Sequence, residues 1–451
     1  MTKYFGTDGI RGKANEGLTA ARAFQVGRYL GYYFSRTGHS RIVIGKDTRL
    51  SSDMLESALA AGIASQGCDA YTVGFCPTPT ICYLAKNEDF ACGAMISASH
   101  NPFYDNGIKV FSTNGIKLSR DIEEKIENYL DGNESISYVT GDAIGKIVPY
   151  EQGLEDYLNW ITKEEFPLDL SSYRIAMDCA NGSASYTAAR ALELLGAQVT
   201  VMHAEPTGTN INERCGSTHP EDFCEFMRFH KGEYDLGLTF DGDADRQILV
   251  SPDGQLLNGD YILYILAHYY KEEGTLNGNT IVTTVMANLG LWKAMERDGI
   301  FVEKTDVGDK YVYEMMCKKN YIVGGEQSGH IILKHHATTG DGLMTALAVL
   351  KVMVKRHKTI QELIEGLTIY PQLLVNVKVS DKTQVMNDPE ICQAIDAVEK
   401  ELHGNGRVLV RPSGTEPLLR VMAEAQTDEI CDRVVGSIAR LIHKNYGVEE
   451  S

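Results

Sequence analysis

Three times along this chain a short apolar strand runs into a loop of small residues and then an amphipathic helix, a repetition that restricts the fold to α/β construction. In the first unit Arg41 to Ile44 reads as a strand and Ser51-Ser52-Asp53 as a helix N-cap with an acidic first turn. Met54, Leu55, Ala58, Leu59 and Ile63 then fall at helical spacing up to Gly67. The second unit runs from Arg174 to Met177, through Asn181-Gly182-Ser183, into a helix over Thr187 to Leu195 and a strand at Val199 to Met202. The third begins at Thr280 to Val285 and continues through a helix over Asn288 to Arg297. The C-terminal stretch breaks the rhythm. Val375, Val377 and Val379 alternate with polar residues, Arg407 to Val410 adds a strand, and Ile430, Val434, Ile438 and Leu441 mark a closing amphipathic helix. Breaks fall at Gly145 to Gly153, at the hairpin-like Ser251-Pro252-Asp253-Gly254 and at Tyr370-Pro371. The expected fold is therefore α/β, with three similarly built α/β domains over residues 1–150, 151–252 and 253–370. A C-terminal α+β domain over 371–451 completes the set, and the absence of low-complexity linkers suggests packing around a central active-site cleft.

Charge and cysteine usage narrow the function classes. A net charge of −18 disfavours nucleic acid and anionic membranes as partners, so a phosphorylated small molecule would need a locally basic cleft. No run of about 18 apolar residues appears and Met1 to Gly6 lacks a signal-peptide core, so the expected location is the cytoplasm. Ten cysteines without a C-x-x-C pair argue against a zinc ribbon or a secreted disulfide scaffold.

The first chemical signal is Asp241-Gly242-Asp243-Ala244-Asp245-Arg246, behind a strand expected over Tyr234 to Phe240. Three carboxylates at alternate positions make an oxygen cage for Mg²⁺, and Arg246 offers a planar fork to phosphate. An acidic surface turn is the plain alternative. An EF-hand is disfavoured, since its sixth and twelfth positions would be Arg246 and Pro252 rather than Gly and Glu.

Other loops carry weaker signals singly. Ser97-Ala98-Ser99-His100-Asn101-Pro102 places a serine beside a histidine at a strand end, which suits a nucleophile or phosphate acceptor as well as an ordinary loop. No G-x-S-x-G elbow surrounds Ser99. Arg411-Pro412-Ser413-Gly414-Thr415-Glu416-Pro417 with Arg420 brings two arginines and two hydroxyls to a glycine-containing turn, a phosphate site or a salt-bridged turn. Gly325-Glu326-Gln327-Ser328-Gly329-His330 offers groups suited to sugar hydroxyls. Gly6 to Gly12 reads first as a flexible loop and second as a phosphate site carrying Arg11.

Together, in this order and over essentially the whole chain, these loops resemble the α-D-phosphohexomutases. Thr7 to Gly12, Ser97 to Lys109, Gly208 to Asn212, Cys215 to Pro220 and Arg411 to Pro417 are most similar to the family's amino-sugar branch. The resemblance implies that Ser99 carries the transferred phosphoryl group and that Asp241, Asp243 and Asp245, with the serine phosphate, hold Mg²⁺. It places Arg11, His100, Lys109 and Arg246 at the reaction centre, with Glu326, Ser328 and His330 at the sugar. Arg411, Ser413, Gly414, Thr415 and Arg420 would take the non-reacting phosphate, and Thr305 to Asp309 would help to distinguish substrates.

The implied reaction interconverts glucosamine 6-phosphate and glucosamine 1-phosphate through glucosamine 1,6-bisphosphate, which also primes the enzyme. Such an isomerase would supply amino-sugar and peptidoglycan precursors. Homodimers are known in the resembled family. The general base is left open among His100, Lys109 and His330. The competing readings are a relative acting on mannose or glucose phosphates, a metal-dependent sugar phosphatase, and a silent sugar-phosphate sensor. Gln327 stands where the mannose and glucose relative commonly has Met.

Overall fold

A computed structural model describes residues 3–6, 8–36, 40–413 and 418–448. The chain forms two compact units, one of residues 1–286 with 301–365 and the other of 287–300 with 366–451.

Three sheets make the first unit. The largest has seven strands in the order Phe5–Gly6, Gly9–Lys13, Asp105–Ser112, Cys92–Ile96, Arg41–Lys46, Asp69–Phe75 and Ile147–Pro149. Its central strands are apolar on both faces, and Ile42, Val43, Ile44, Ala94, Met95 and Ile96 are all fully buried, as helices on both sides require. On one face Ala20–Ser35 packs against Ser52–Ala64 so closely that a Cβ on Gly31 would stand 2.6 Å from the Ile63 carbonyl oxygen. The N-terminal segment expected to be a flexible loop is instead two paired strands, with Phe5 opposite Ile10 and Gly6 opposite Gly9. Ser51 occupies the expected N-cap position, but its side chain makes no cap bond. It accepts from Asn106 Nδ2 at 2.9 Å.

The second sheet runs Leu256–Leu257, Gln247–Val250, Leu236–Phe240, Arg174–Asp178 and Gln198–Met202. The strand expected from Tyr234 begins two residues later, because Asp235 is used to receive the Arg174 amide through its carboxylate at 2.8 Å. The Ser251 to Gly254 turn lies, as expected, between two antiparallel strands. The third sheet orders Phe301–Thr305, Thr280–Thr284, Val323–Gly325 and Ile331–Leu333.

In the second unit Gln372–Lys378, Leu418–Ala425 and Gly406–Pro412 form an antiparallel sheet in that order. Val377, Val408, Val410, Leu419 and Val421 meet Val434, Val435 and Ile438 of the helix Asp428–Tyr446 in one core. The helix Leu289–Arg297 belongs to this unit too. Its Leu289 amide donates to Glu424 Oε2 at 2.8 Å, and the same buried carboxylate receives Arg407 Nε at 2.7 Å.

Candidate active site

Two hairpins and one strand end build a charged centre in the first unit. Asp241 to Arg246 close the antiparallel hairpin between Leu236–Phe240 and Gln247–Val250, in which Phe240 faces Gln247. Glu326 to His330 close a second hairpin, between Val323–Gly325 and Ile331–Leu333. The Gln247 amide donates to the Gly329 carbonyl at 3.1 Å and so ties one hairpin to the other. Ser99 follows the end of Cys92–Ile96, Lys109 lies opposite Met95 on the neighbouring strand, and Arg11 lies opposite Gly107 one strand further on.

Ser99 Oγ donates to Asp241 Oδ2 at 2.7 Å, so the serine reaches the carboxylate cluster directly. Asp241, Asp243 and Asp245 are buried, with ligand atoms all within 4.8 Å of one another. Burial, then the charges of Asp245 and Asp243, push the Asp241 carboxyl up to about 7, the sign of a site short of positive charge. Asp243 Oδ1 and Asp245 Oδ1 have no hydrogen-bond donor among the described residues. Three hard oxygen donors with buried lone pairs to spare fit Mg²⁺. A second metal-compatible group, Asp178, His203 and Cys215, differs in kind. There the carboxylate already accepts the Ala180 and Gly216 amides, each at 2.9 Å.

Cations partly neutralise the cluster. Lys109 Nζ lies 2.7 Å from Asp243, 2.9 Å from Asp8 and 3.3 Å from Asp245. Burial opposes its charge, but Asp243, Asp8 and Asp245 raise its pKa well above the ordinary lysine value. Arg246 Nε approaches Asp241 at 4.0 Å and Asp245 at 3.9 Å, and Arg11 pairs with Asp8 and reaches Asn101 Oδ1 at 3.5 Å.

The two imidazoles are opposites. His100 Nδ1 stands 3.3 Å from Ser99 Oγ, and burial followed by the charges of Arg246 and Arg11 lowers its pKa to about 3, so it is a neutral ring with little affinity for a proton. Burial disfavours His330 imidazolium too, but Asp245, with help from Asp309 and Glu326, overrides it and raises the pKa to about 9. Its Nδ1 faces Asp245 at 3.6 Å, while the Gly340 amide donates to Nε2 at 3.0 Å and pulls toward the neutral ring. Of the three base candidates, Lys109 and His330 are thus biased toward the charged form and His100 is a weak base.

Glu326 Oε1 accepts the Gly308 amide at 3.1 Å, which links the expected sugar loop to the Thr305 to Asp309 segment. Ser328 is exposed on the same turn. Two contributors, Thr78 and Lys117, were not singled out from the sequence, and Asp8 and Asp309 were named only as parts of their loops. Asp8 and Asp309 both hold Lys117, at 2.8 and 2.7 Å, and Thr78 donates to Asp243 through its hydroxyl. Asp8 sits in the same motif as Arg11, which was a signal; Thr78 and Lys117 carry none, because only folding brings them close.

In the second unit, Arg411 and Arg420 lie directly opposite each other on adjacent antiparallel strands. Burial and then the charge of Arg420 lower the pKa of Arg411. Ser413 is buried, its amide donates to the Leu418 carbonyl at 2.9 Å, and Lys382 Nζ donates to its carbonyl at 2.7 Å. Like charges opposed across a ladder are unfavourable unless an anion joins them. Gly414 and Thr415 lie outside the described residues.

Comparison with known proteins bears on both units. Four family models match in succession: phosphoglucomutase/phosphomannomutase alpha/beta/alpha domains I, II and III over residues 2–137, 155–254 and 258–370, and the C-terminal domain over 374–441. The phosphoglucosamine mutase of Lachnospira eligens is 48% identical over 453 residues, covering 99% of this chain and all of the relative. That of Bacillus cereus is 47% identical over 451 residues, covering 100% of both. Among solved structures, a phosphoglucomutase/phosphomannomutase family protein from Burkholderia thailandensis superposes with a TM-score of 0.79 at 22% identity, over 98% of each chain. The N-acetylphosphoglucosamine mutase of Aspergillus fumigatus, solved with GlcNAc-6P and magnesium, gives 0.71 at 17% identity, over 98% of this chain and 96% of its own. With full-length relatives at nearly half identity and all four domain models in order, the chain belongs to the phosphoglucomutase/phosphomannomutase family, the α-D-phosphohexomutases.

Proposed function

We propose that the protein is a phosphoglucosamine mutase, an isomerase that interconverts glucosamine 6-phosphate and glucosamine 1-phosphate by way of a phosphoserine at Ser99. The observation that carries this reading is the contact of Ser99 Oγ with Asp241 at 2.7 Å, in a chain 46–48% identical to phosphoglucosamine mutases along its length. Asp241, Asp243, Asp245 and the phosphate on Ser99 would hold Mg²⁺, which when bound supplies positive charge to the phosphoryl oxygens.

In the first half-reaction the Oγ–P bond of phospho-Ser99 breaks as a sugar hydroxyl oxygen bonds to phosphorus, and the proton that this oxygen gives up is balanced by the one that restores the Ser99 hydroxyl. The product, glucosamine 1,6-bisphosphate, turns over, and its other phosphoryl group returns to Ser99. Arg246, Lys109 and Arg11 sit where they can neutralise the phosphoryl oxygens, and the transfer needs alignment and charge more than covalent help. Glu326, Ser328 and His330 would receive sugar hydroxyls. Arg411, Ser413, Gly414, Thr415 and Arg420 would bind the phosphate that is not reacting, whose charge would relieve the opposed arginines.

Cytoplasmic residence fits ten cysteines that are all free thiols. Among the described residues, no helix is long and apolar enough to cross a membrane.

The test gives purified protein glucosamine 6-phosphate, Mg²⁺ and a bisphosphate primer, and follows sugar products, inorganic phosphate and intact mass. Glucosamine 1-phosphate and a phosphorylated Ser99 are expected. Inorganic phosphate as the main product would replace the mutase with a phosphatase, and strong preference for mannose or glucose phosphates would move the substrate within the family.

A further inference from the structure

The segment Gly208 to Asn212 with Cys215 to Pro220 has no part in the chemistry above. It nevertheless fastens itself to the loops of the seven-stranded sheet. The Gly208 carbonyl accepts the Leu50 amide at 2.8 Å, the Asn181 carbonyl accepts Thr48 Oγ1 at 2.6 Å, and the Asn212 amide returns to the Ala180 carbonyl at 2.9 Å. From this base the buried Asn212 side chain reaches the serine loop, where Nδ2 donates to the Ser99 carbonyl at 2.9 Å and the Asn101 carbonyl at 3.2 Å. Asn212 Oδ1 has no donor among the described residues, so the amide is committed to those two carbonyls while leaving a buried acceptor unsatisfied.

Arg49 grips the same carbonyl from the other side. Its Nη2 donates to Ser99 O at 2.7 Å and its Nη1 to the Asp105 carbonyl at 3.2 Å, while Nε is held by Asp47 at 2.8 Å. Both partners of that ion pair are fully buried. Gly242, between two of the expected Mg²⁺ ligands, closes the box. A Cβ there would stand 2.6 Å from Ser99 O and 2.8 Å from Asn212 Nδ2.

The enclosure has a physical reason. Ser99 has φ 52°, a left-handed conformation that is strained for a non-glycine residue and persists only when its surroundings impose it. That conformation aims Oγ at Asp241. A peptide plane free to rotate about Ser99 would swing Oγ away from the carboxylates, and phosphoryl transfer depends steeply on alignment.

We infer that Asn212 is a positioning residue for the nucleophile, one that with Arg49 locks the Ser99 peptide so that Oγ, or the phosphate on it, stays against the Asp241 cluster. The inference rests on the proposed role of Ser99. Asn212 touches no reacting atom, and it acts through the Ser99 carbonyl.

The experiment compares Asn212→Ala and Asn212→Asp with Asn210→Ala. An aspartate keeps the shape but cannot donate. The Asn210 side chain bonds within its own loop, to Glu205 O at 3.0 Å and the Thr207 amide at 2.8 Å, and its carbonyl, which accepts from Asn181 Nδ2 at 3.3 Å, is unchanged by an alanine. Both Asn212 variants should lose about tenfold to a hundredfold in kcat, with KM for the sugar phosphate within about twofold and half-activation at higher Mg²⁺. Asn210→Ala should keep the wild-type kcat. Hydrogen exchange of the peptide over residues 97–106 should quicken in the Asn212 variants and not in Asn210→Ala. Wild-type kcat in Asn212→Ala, a change confined to KM, or an equal loss in Asn210→Ala would overturn the assignment. Wild-type protein without mutase activity would sink the functional reading alone. The exchange measurement then still decides the positioning claim, which fails if residues 97–106 are unmoved by Asn212→Ala.

Discussion

Around Ser99 the buried cations face carboxylates, whereas on the Arg411 hairpin the two arginines face each other. Lys109 has three aspartates within 3.3 Å, and Lys117 lies between Asp8 and Asp309. In the second unit Arg411 and Arg420 occupy opposed ladder positions, and burial together with Arg420 lowers the pKa of Arg411. The difference separates two ways of making an anion site. The first combines excess carboxylate with nearby cations, so that it suits a metal ion and a covalently held phosphate together. The second sets like charge opposite like across a ladder, a cost that a mobile phosphate dianion would relieve.

Ser99→Ala is the harshest test of the first site as the seat of chemistry. Turnover should fall by more than roughly a thousandfold, with circular dichroism unchanged. Retention of even a tenth of the activity would place the transferred phosphoryl group elsewhere.

Stability should divide the two sites next. Lys109→Met leaves buried aspartates without a cation and should cost about 3 kcal/mol or more by denaturant unfolding. Arg411→Met removes one of two opposed positive charges and should be neutral or slightly stabilising, while raising KM for the sugar phosphate roughly tenfold. Equal destabilisation by the two substitutions would erase the contrast.

If the three aspartates hold Mg²⁺ as proposed, it should raise the melting temperature, since that cluster exists in the folded chain alone; at about a hundred times Kd the gain is on the order of 2.7 kcal/mol. EDTA should reverse the shift, Asp243→Asn should abolish it, and Arg411→Met should keep it. A shift surviving Asp243→Asn would mean that the cation binds somewhere else.

The smallest effect comes from a pair outside both sites. Asp178, whose carboxylate lies 3.1 Å from Nδ1, raises the pKa of His203 despite partial burial. A raised folded-state value stabilises fully below the unfolded pKa of about 6.5, and that contribution fades as pH climbs through the folded value. Because the ring is partly exposed, screening should hold the effect under about 1 kcal/mol. Unfolding of His203→Gln and wild type at acidic and alkaline pH would measure it, and a difference that grew with pH would have the wrong sign.

Much of this architecture was legible before folding. The strands at Arg41, Arg174, Thr280 and Gly406 announce themselves by apolar runs, and the Asp241 loop by alternation of carboxylates with small residues. The N-terminal segment was not, because Gly6 and Gly9 read as loop residues until Phe5 pairs with Ile10 and Gly6 with Gly9. Nor was the protonation of the two histidines: burial and then Arg246 hold His100 neutral, whereas Asp245 overrides burial to favour the charged form of His330. The support of Ser99 was hidden for a related reason. Asn212 and Arg49 lie 113 and 50 residues from it in the chain, and an asparagine or arginine in a loop has many ordinary uses.

The donor chemistry is written along the chain: which carboxylates, hydroxyls and guanidinium groups it owns, and which of them stand close enough in chain order to form loops. Tertiary structure alone decided which loops share a centre, which histidine is held neutral, and which distant side chains hold the serine peptide. The reason is range. Periodicity and turn chemistry act over a few residues, whereas charge, desolvation and hydrogen bonding at Ser99 depend on groups that only packing brings within 3 Å of one another.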